Sequence, residues 1–529
     1  MNGNPRHSRR THLPSPPVNP VAAAVASAAA NGGIPEPISR LTHGWRSWAW
    51  FGGFLVVFVW VYFFLGTQLI HQTNQDRLNW DQQHNIVMSL RGLEREQQPI
   101  GPGESVTAAL WRSFPHYTDG VVNPLWPWVA SRFATEDHEA FFLRGKEFNL
   151  VLSAVFLVAL GLITARAFSI PSAISILLAS GFAAMLPRAT YFQPETLYYL
   201  FFFLAWVCAM SLMRRNSLWM YGVLGFLLGL AYLAKTSIQP FLLVFFGVTL
   251  LRCVIEWWQA RRAPEERSIA LMLEDEAWSL PNHFIGLAVL AMTFLGAAGP
   301  RLSYANDAFG SPFHSYPGYW MWMDDFGQGA DFMQRYPNAE ALEKLPAAEK
   351  PSAMNYLRHH TWKETSDRMW NGVTKKWGEF FAPREWRKSG RELLPFRGWL
   401  LVAFFGMFGV MAAMRWWVAR RGERWGRPGS PQSARWMLLF AAGVFVVSLA
   451  AFGFFEPIGK GDRFMLALYL PLVVTPLWIA ERFRRQLQRT DLGDWATWIF
   501  FGMHALVSVA IVIRLIQLVV DPIFQQAVS

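Results

Sequence analysis

WAWFGGFLVVFVWVYFFLGTQLI, residues 48–70, decides how the rest of the chain is read. It carries no charged side chain, and it is long enough to cross a bilayer core, which takes about 20 apolar residues. A secretory leader has a shorter apolar stretch and a small-residue cleavage site after it, so this stretch reads as an uncleaved first span. Similar blocks recur near 148–168, 172–187, 195–213, 217–234, 238–255, 283–299, 397–414, 436–454, 464–480 and 495–519. The 529 residues are 53% hydrophobic and only 16% charged, with 27 Trp and 43 Phe, a composition foreign to a soluble protein of this size. The expected fold is an all-α polytopic membrane protein, a bundle of about 11 transmembrane helices.

The net charge of +11 does not argue for nucleic acid, because much of the excess sits in short connections between spans. One set holds Arg166; Arg214 and Arg215; Arg252, Arg261, Arg262 and Arg267; Arg415 through Arg435; and Arg482, Arg484, Arg485 and Arg489. These alternate with loops holding only Arg188, only Lys235, or Lys460 and Arg463. Basic loops face the cytoplasm. The expected localisation is therefore a multi-pass integral membrane protein, its N-terminus cytoplasmic and its long loops, 71–147 and 300–395, extracytoplasmic. Four regions follow: a disordered tail at 1–47, an N-terminal membrane module at 48–299, a loop subdomain at 300–395 and C-terminal spans at 396–529. Cys208 and Cys253 both fall in apolar segments, so no disulfide is expected.

After the first span comes NWDQQHNIVMSLRGL, 79–93. Asn79 and Gln82 fit a capping box, and Ile86, Val87, Leu90 and Leu93 share a helical face that would rest on the membrane interface. Asp81 then sits in a first helical turn, where free amides favour a carboxylate, with His84 one turn on. Acids commonly start helices, so Asp81 alone decides nothing. The same outer face, however, also carries HYTDGVVNPLWPWVASRF (116–133), PRATYFQPE (187–195), GLAYLAKTS (229–237), GPRLSYANDAFGSPF (299–313) and the 455–473 segment. Asp81 and Glu195 are thereby placed beside Lys235, Arg301 and Arg463 at one water–lipid boundary.

That mixture suits transfer of a sugar from a lipid phosphate to a hydroxyl. A carboxylate takes the acceptor's proton, and fixed cations receive the leaving phosphate. Trp126, Trp128, Trp320 and Trp322 offer faces for sugar rings. Arg463 is the main phosphate contact in this reading, with Lys235 assisting and Asp462 orienting the guanidinium.

At these residues the chain resembles the GT-C superfamily of integral membrane glycosyltransferases, in the bacterial branch related to protein O-mannosyltransferases and the lipid A aminoarabinose transferase. The resemblance rests on Asp81 soon after the first span, PLWPW (124–128), QPE (193–195), LGLAYLAKTS (228–237) and DRFMLALYLPL (462–472), and covers most of 48–480. It implies an inverting hexosyl- or pentosyltransferase. The donor would be a polyprenyl-phosphate-linked sugar and the acceptor a hydroxyl of a lipid, glycan or protein. Asp81 would be catalytic, with Glu195, Lys235, Arg463, Arg301 and His84 binding substrate. The sequence departs from the protein O-mannosyltransferases, with Gln82 where a second acid stands and His84 where many relatives have an aromatic. No metal ligand set is expected, although a divalent cation beside Asp81 stays open.

The rival expectation is a transporter or flippase. Such proteins keep ionisable residues in mid-span, whereas these span interiors read as nearly free of charge, with Arg514 the main exception.

Overall fold

In a computed structural model, residues 44–97, 113–262, 280–381, 396–421, 431–459 and 462–520 are described. Residues 1–43 of the expected tail, Lys460 and the Asp462 side chain lie outside what is described. The described residues are helical without strands, as the apolar periodicity requires.

Among the described residues ten helices are long and apolar enough to cross a membrane. In chain order the N-terminal helices are α1 (Trp45–Gln72), α2 (Trp80–Gln97, outside the spans), α3 (Leu125–Ala130, short), α4 (His138–Ala167), α5 (Ile170–Ser180, prolonged to Ala189), α6 (Glu195–Arg214), α7 (Leu218–Ala234), α8 (Gln239–Arg262) and α9 (Leu280–Phe309). At 17 residues α7 is the shortest apolar member, reaching about 26 Å at 1.5 Å per residue. It packs along α9, where Gly225 and Gly229 bring the two backbones together. Each of the eleven expected apolar blocks falls on a helix.

After α9 the chain forms a small helical subdomain: α10 to α13 (Tyr316–Trp320, Phe326–Arg335, Ala339–Glu343 and Ala353–His359) and the longer α14 (Trp362–Phe381). Asp325, Asn338 and Ser352 cap three of these starts through amides at 2.9, 3.0 and 3.3 Å. The subdomain has its own core of Phe309, Tyr316, Trp320, Phe332, Leu342 and neighbours, separate from the bundle core. The remaining helices are α15 (Arg397–Arg420), α16 (Pro431–Phe454), α17 (Tyr469–Leu487) and α18 (Gly493–Val520).

α14 joins subdomain to bundle by lying against α16. The contact needs glycine, because a Cβ on Gly372 would stand 1.9 Å from the Gly453 carbonyl oxygen. On the same helix Lys376, wholly buried, donates to the Gly459 carbonyl at 2.8 Å and meets Glu379 at 3.2 Å. That bond fixes the loop leading from α16 to Arg463.

A second clamp closes the exit of α1. Lys146 of α4, also wholly buried, donates to the carbonyls of Ile70, Thr73 and Asn74 at 2.8, 3.1 and 3.4 Å. These are carbonyls that a helix end leaves without intrahelical donors, and a cation is favoured there. Asn74 turns the chain with φ 56°, a left-handed conformation that Asn tolerates better than most residues.

Candidate functional site

The turn at Asn74 delivers α2 across the end of the bundle, and Gln82 holds it there. Its amide nitrogen donates to the carbonyls of Asn74 (3.3 Å) and Asp76 (3.0 Å), and its amide oxygen accepts from Phe192 N–H at 3.1 Å. The expected capping box is therefore not formed by Gln82. The Asn79 amide donates instead to the Asp76 carbonyl at 3.1 Å, and Gln82 stitches α2 to the 187–195 segment. Nor is the buried face of α2 an apolar membrane face. It consists of Gln82, Asn85, Ile86, Met88 and Ser89 and packs on α3.

Asp81, in the first turn of α2, meets Arg463 across 382 positions of sequence, with Arg463 Nη1 donating to Asp81 Oδ2. Arg463 stands in a short 3-10 turn before α17, its own carbonyl accepting from Tyr199 Oη at 2.8 Å. Glu195 opens α6, where the helix N-terminus favours its charge. Its Oε1 accepts from Lys235 Nζ at 2.7 Å, and its Oε2 is buried without a hydrogen-bond partner. Lys235 ends α7, and its ammonium lies 4.8 Å from the centre of the Phe464 ring, with the Arg463 guanidinium at 5.1 Å from the same ring.

Four of the expected residues thus converge: Asp81, Glu195, Lys235 and Arg463. Arg188 joins them, close enough to act electrostatically on both Glu195 and Arg463. The five carry three positive and two negative charges, which leaves the cluster one short of neutral. Burial works against the Arg463 charge, but Asp81 and Glu195 overcome it and hold the guanidinium above its ordinary range. Burial pulls the Lys235 ammonium below its ordinary range, with Arg463 adding to the fall and Glu195 offsetting only part of it.

The other expected residues are placed differently. His84 faces away from this cluster, its Nε2 on Asp119 Oδ2 and its ring 4.9 Å from Trp80. Asp119 Oδ1 also accepts from the amides of Val121 and Val122, both at 2.9 Å. Burial disfavours the Asp119 carboxylate, yet His84 and these amides together hold it below the ordinary range. Arg301 is 1% exposed and committed inward: to Tyr232 Oη at 2.8 Å, Asn123 Oδ1 at 3.2 Å, and the carbonyls of His314 and Pro312 at 2.9 and 3.4 Å. It ties α9 to the start of the subdomain. Trp126 and Trp320 are core residues, packed on Phe148 and Phe192 and on Phe326 respectively, so neither offers a free ring. Trp128 lies beneath Arg132, and Trp322 lies against Tyr356 and Phe454. The exposed aromatic next to Asp81 is Trp80, at 40%.

Sequence reasoning missed Arg188, Lys376, Tyr199 and Trp80 as parts of this end. Arg188 had a signal: it is the lone basic residue of a short loop two turns ahead of Glu195. Its placement follows from a wide helical turn at Gly181–Met185, which carries α5 up to Pro187. Tyr199 and Lys376 carried no signal, because their contacts are to backbone atoms distant in sequence. Among the described residues no three of His, Cys, Asp and Glu come together in a way that would hold a metal ion, and Asp81 is matched with a guanidinium. Cys208 and Cys253 are both free thiols.

The chain was compared with protein-family models, curated proteins and solved structures, and none of them matches it.

Proposed function

We propose that the protein is a membrane glycosyltransferase that moves a sugar from a polyprenyl-phosphate donor to a hydroxyl acceptor at the extracytoplasmic face. The observation that carries the reading is the contact of Asp81 with Arg463 beside the Glu195–Lys235 pair. A proton acceptor and two phosphate-binding cations meet there at the end of a bundle whose spans can accommodate a lipid tail. The acceptor oxygen bonds to the anomeric carbon from the face opposite the phosphate, inverting it. The bond from that carbon to the phosphate oxygen breaks, and its electron pair leaves with the polyprenyl phosphate. The acceptor's proton goes to Asp81, and Arg463 and Lys235 hold the departing phosphate. Arg463 rests on Asp81, so a phosphate that takes the guanidinium competes with that carboxylate and releases it to act as base.

The test is to extract the purified protein and search the extract by mass spectrometry for polyprenyl phosphate. The search is paired with one for a glycan or glycolipid lost in a deletion strain. Absence of both, no polyprenyl phosphate in the extract and no glycoconjugate lost in the deletion strain, would overturn the reading.

One observation favours the transporter reading. The spans are less free of ionisable groups than their sequence suggests. Glu481 accepts from Ser169 and Ser172 at 2.9 and 3.1 Å and pairs with Arg484 and Arg485. From Ser172 the chain of polar contacts runs on to His504, fully buried in α18, and through Ser175 to Ser508. Such a line inside a bundle is a usual feature of proton-coupled carriers. A proteoliposome assay that showed proton uptake abolished by His504→Ala would favour it.

A further inference from the structure

The opposite end of the bundle holds, beside its ion pairs, three arginines that no carboxylate among the described residues meets. α6 begins with Glu195 at the candidate site and ends with Arg214, so its 20 residues carry the chain about 30 Å to the far side. α17 packs between α6 and α15 and brings Arg482 to the same end, and α15 brings Arg415. The guanidiniums of Arg214 and Arg482 lie 5.5 and 5.8 Å from the centre of one indole, that of Trp478. That of Arg415 lies 4.6 Å from the Phe483 ring, one residue beyond Arg482. Arg482 repels both Arg214 and Arg415. All three are half-buried, and no carboxylate among the described residues pairs with any of them. The nearby Glu481 is taken by Arg484 and Arg485.

An isolated arginine at a span end needs no explanation, since its head reaches water along a flexible stem. Three that are half-buried over adjoining aromatic rings, and that repel one another, are different. The repulsion falls only when an anion sits among them. The depth indicates which anion. Trp416 and Trp417, 54% and 51% exposed, stand beside Arg415 on α15 with Arg420 and Arg421 laid over them, as in the aromatic belt of a span at headgroup level. We propose that Arg214, Arg415 and Arg482, around Trp478, bind the phosphate headgroup of an anionic phospholipid in the leaflet opposite the candidate site. A two-phosphate headgroup such as cardiolipin matches three positive charges better than a single phosphate does.

Native mass spectrometry of the full chain in mild detergent tests this. Cardiolipin, phosphatidylglycerol and phosphatidylcholine are titrated separately, with inorganic phosphate as a fourth arm. Wild type should carry cardiolipin at concentrations at least tenfold below those needed for phosphatidylcholine. The triple variant Arg214→Gln/Arg415→Gln/Arg482→Gln should lose at least tenfold in cardiolipin affinity. Arg482→Gln alone, checked for an unchanged melting temperature, should lose about threefold, and Arg335→Gln, on the distant subdomain, nothing. Equal cardiolipin affinity in wild type and Arg482→Gln would overturn the proposal, as would phosphatidylcholine binding as tightly as cardiolipin. Displacement of cardiolipin by millimolar inorganic phosphate would make this a free-anion site and overturn the lipid assignment. The result is independent of whether the other end transfers sugar.

Discussion

At the site end Arg463 meets Asp81 and Lys235 meets Glu195, whereas at the far end Arg214, Arg415 and Arg482 share aromatic rings and, among the described residues, no carboxylate. Both ends are rich in arginine and aromatic residues, so composition does not separate them. What differs is the work the charges can do. Paired charges can exchange partners when an anion arrives, since a phosphate that takes the cation frees the acid. Unpaired like charges can only be satisfied by something that stays.

The largest effect that would break this contrast is expected at Asp81. Asp81→Asn should lower turnover about 100-fold or more, the scale of general-base catalysis. It should also raise affinity for polyprenyl phosphate, because Arg463 no longer has a carboxylate competing for it. Steady-state kinetics and lipid-phosphate binding measured on one preparation check both, and full turnover would leave Asp81 as a helix starter and turn attention to Glu195. Next is Arg463→Lys. An ammonium cannot present two parallel donors to phosphate, so affinity for the sugar-free lipid should fall by about 1–3 kcal/mol, roughly five- to 150-fold. An affinity equal to wild type would remove the phosphate site.

Two smaller effects sharpen the boundary of the site. Lys146→Met strips three carbonyls at the exit of α1 of their donor and should cost roughly 2 kcal/mol, visible as a lower melting temperature in detergent. Arg301→Gln should loosen the outer subdomain, read as faster proteolysis between 310 and 360, without changing lipid-phosphate affinity. A loss of affinity would return Arg301 to the binding machinery. The smallest effect is a pH dependence. The Asp119 carboxyl is held below its unfolded value of about 3.9, so the stability it contributes is present above that pH and is lost as pH falls through the folded value. Asp119→Asn should flatten the acid limb of a thermal-stability profile below about pH 4. An unchanged limb would assign acid sensitivity elsewhere.

The spans were legible because membrane burial writes itself into consecutive residues: every expected apolar block became a helix. The site was legible in part. Asp81, Glu195, Lys235 and Arg463 stand beside span ends, and a span end has a location before any packing is known. Which cation meets which acid was not legible. Asp462 is the sequence neighbour of Arg463, yet Asp81 meets it from the opposite end of the chain. Trp126 read as a surface platform because its proline-rich motif lies in a long outer loop, but α3 turns that ring into the core beside Phe192. The three arginines of the far end read as ordinary basic loops, because a shared ring such as Trp478 is a property of packed helices and not of any one segment.

The 382 positions between Asp81 and Arg463 also set a timetable. A ribosome delivering this chain places the acid early and its guanidinium near the end of synthesis, after nine of the eleven apolar helices have emerged. Until then Asp81 lacks the guanidinium that pairs with it, although Lys235 and Arg188 are already in place. On the proposed function, prematurely terminated or degraded chains carry Asp81 without Arg463 and should be inert toward a polyprenyl-phosphate sugar. Co-expression of a fragment ending after α14 with one beginning before α15 would show whether late arrival of Arg463 is enough to complete an already inserted N-terminal half.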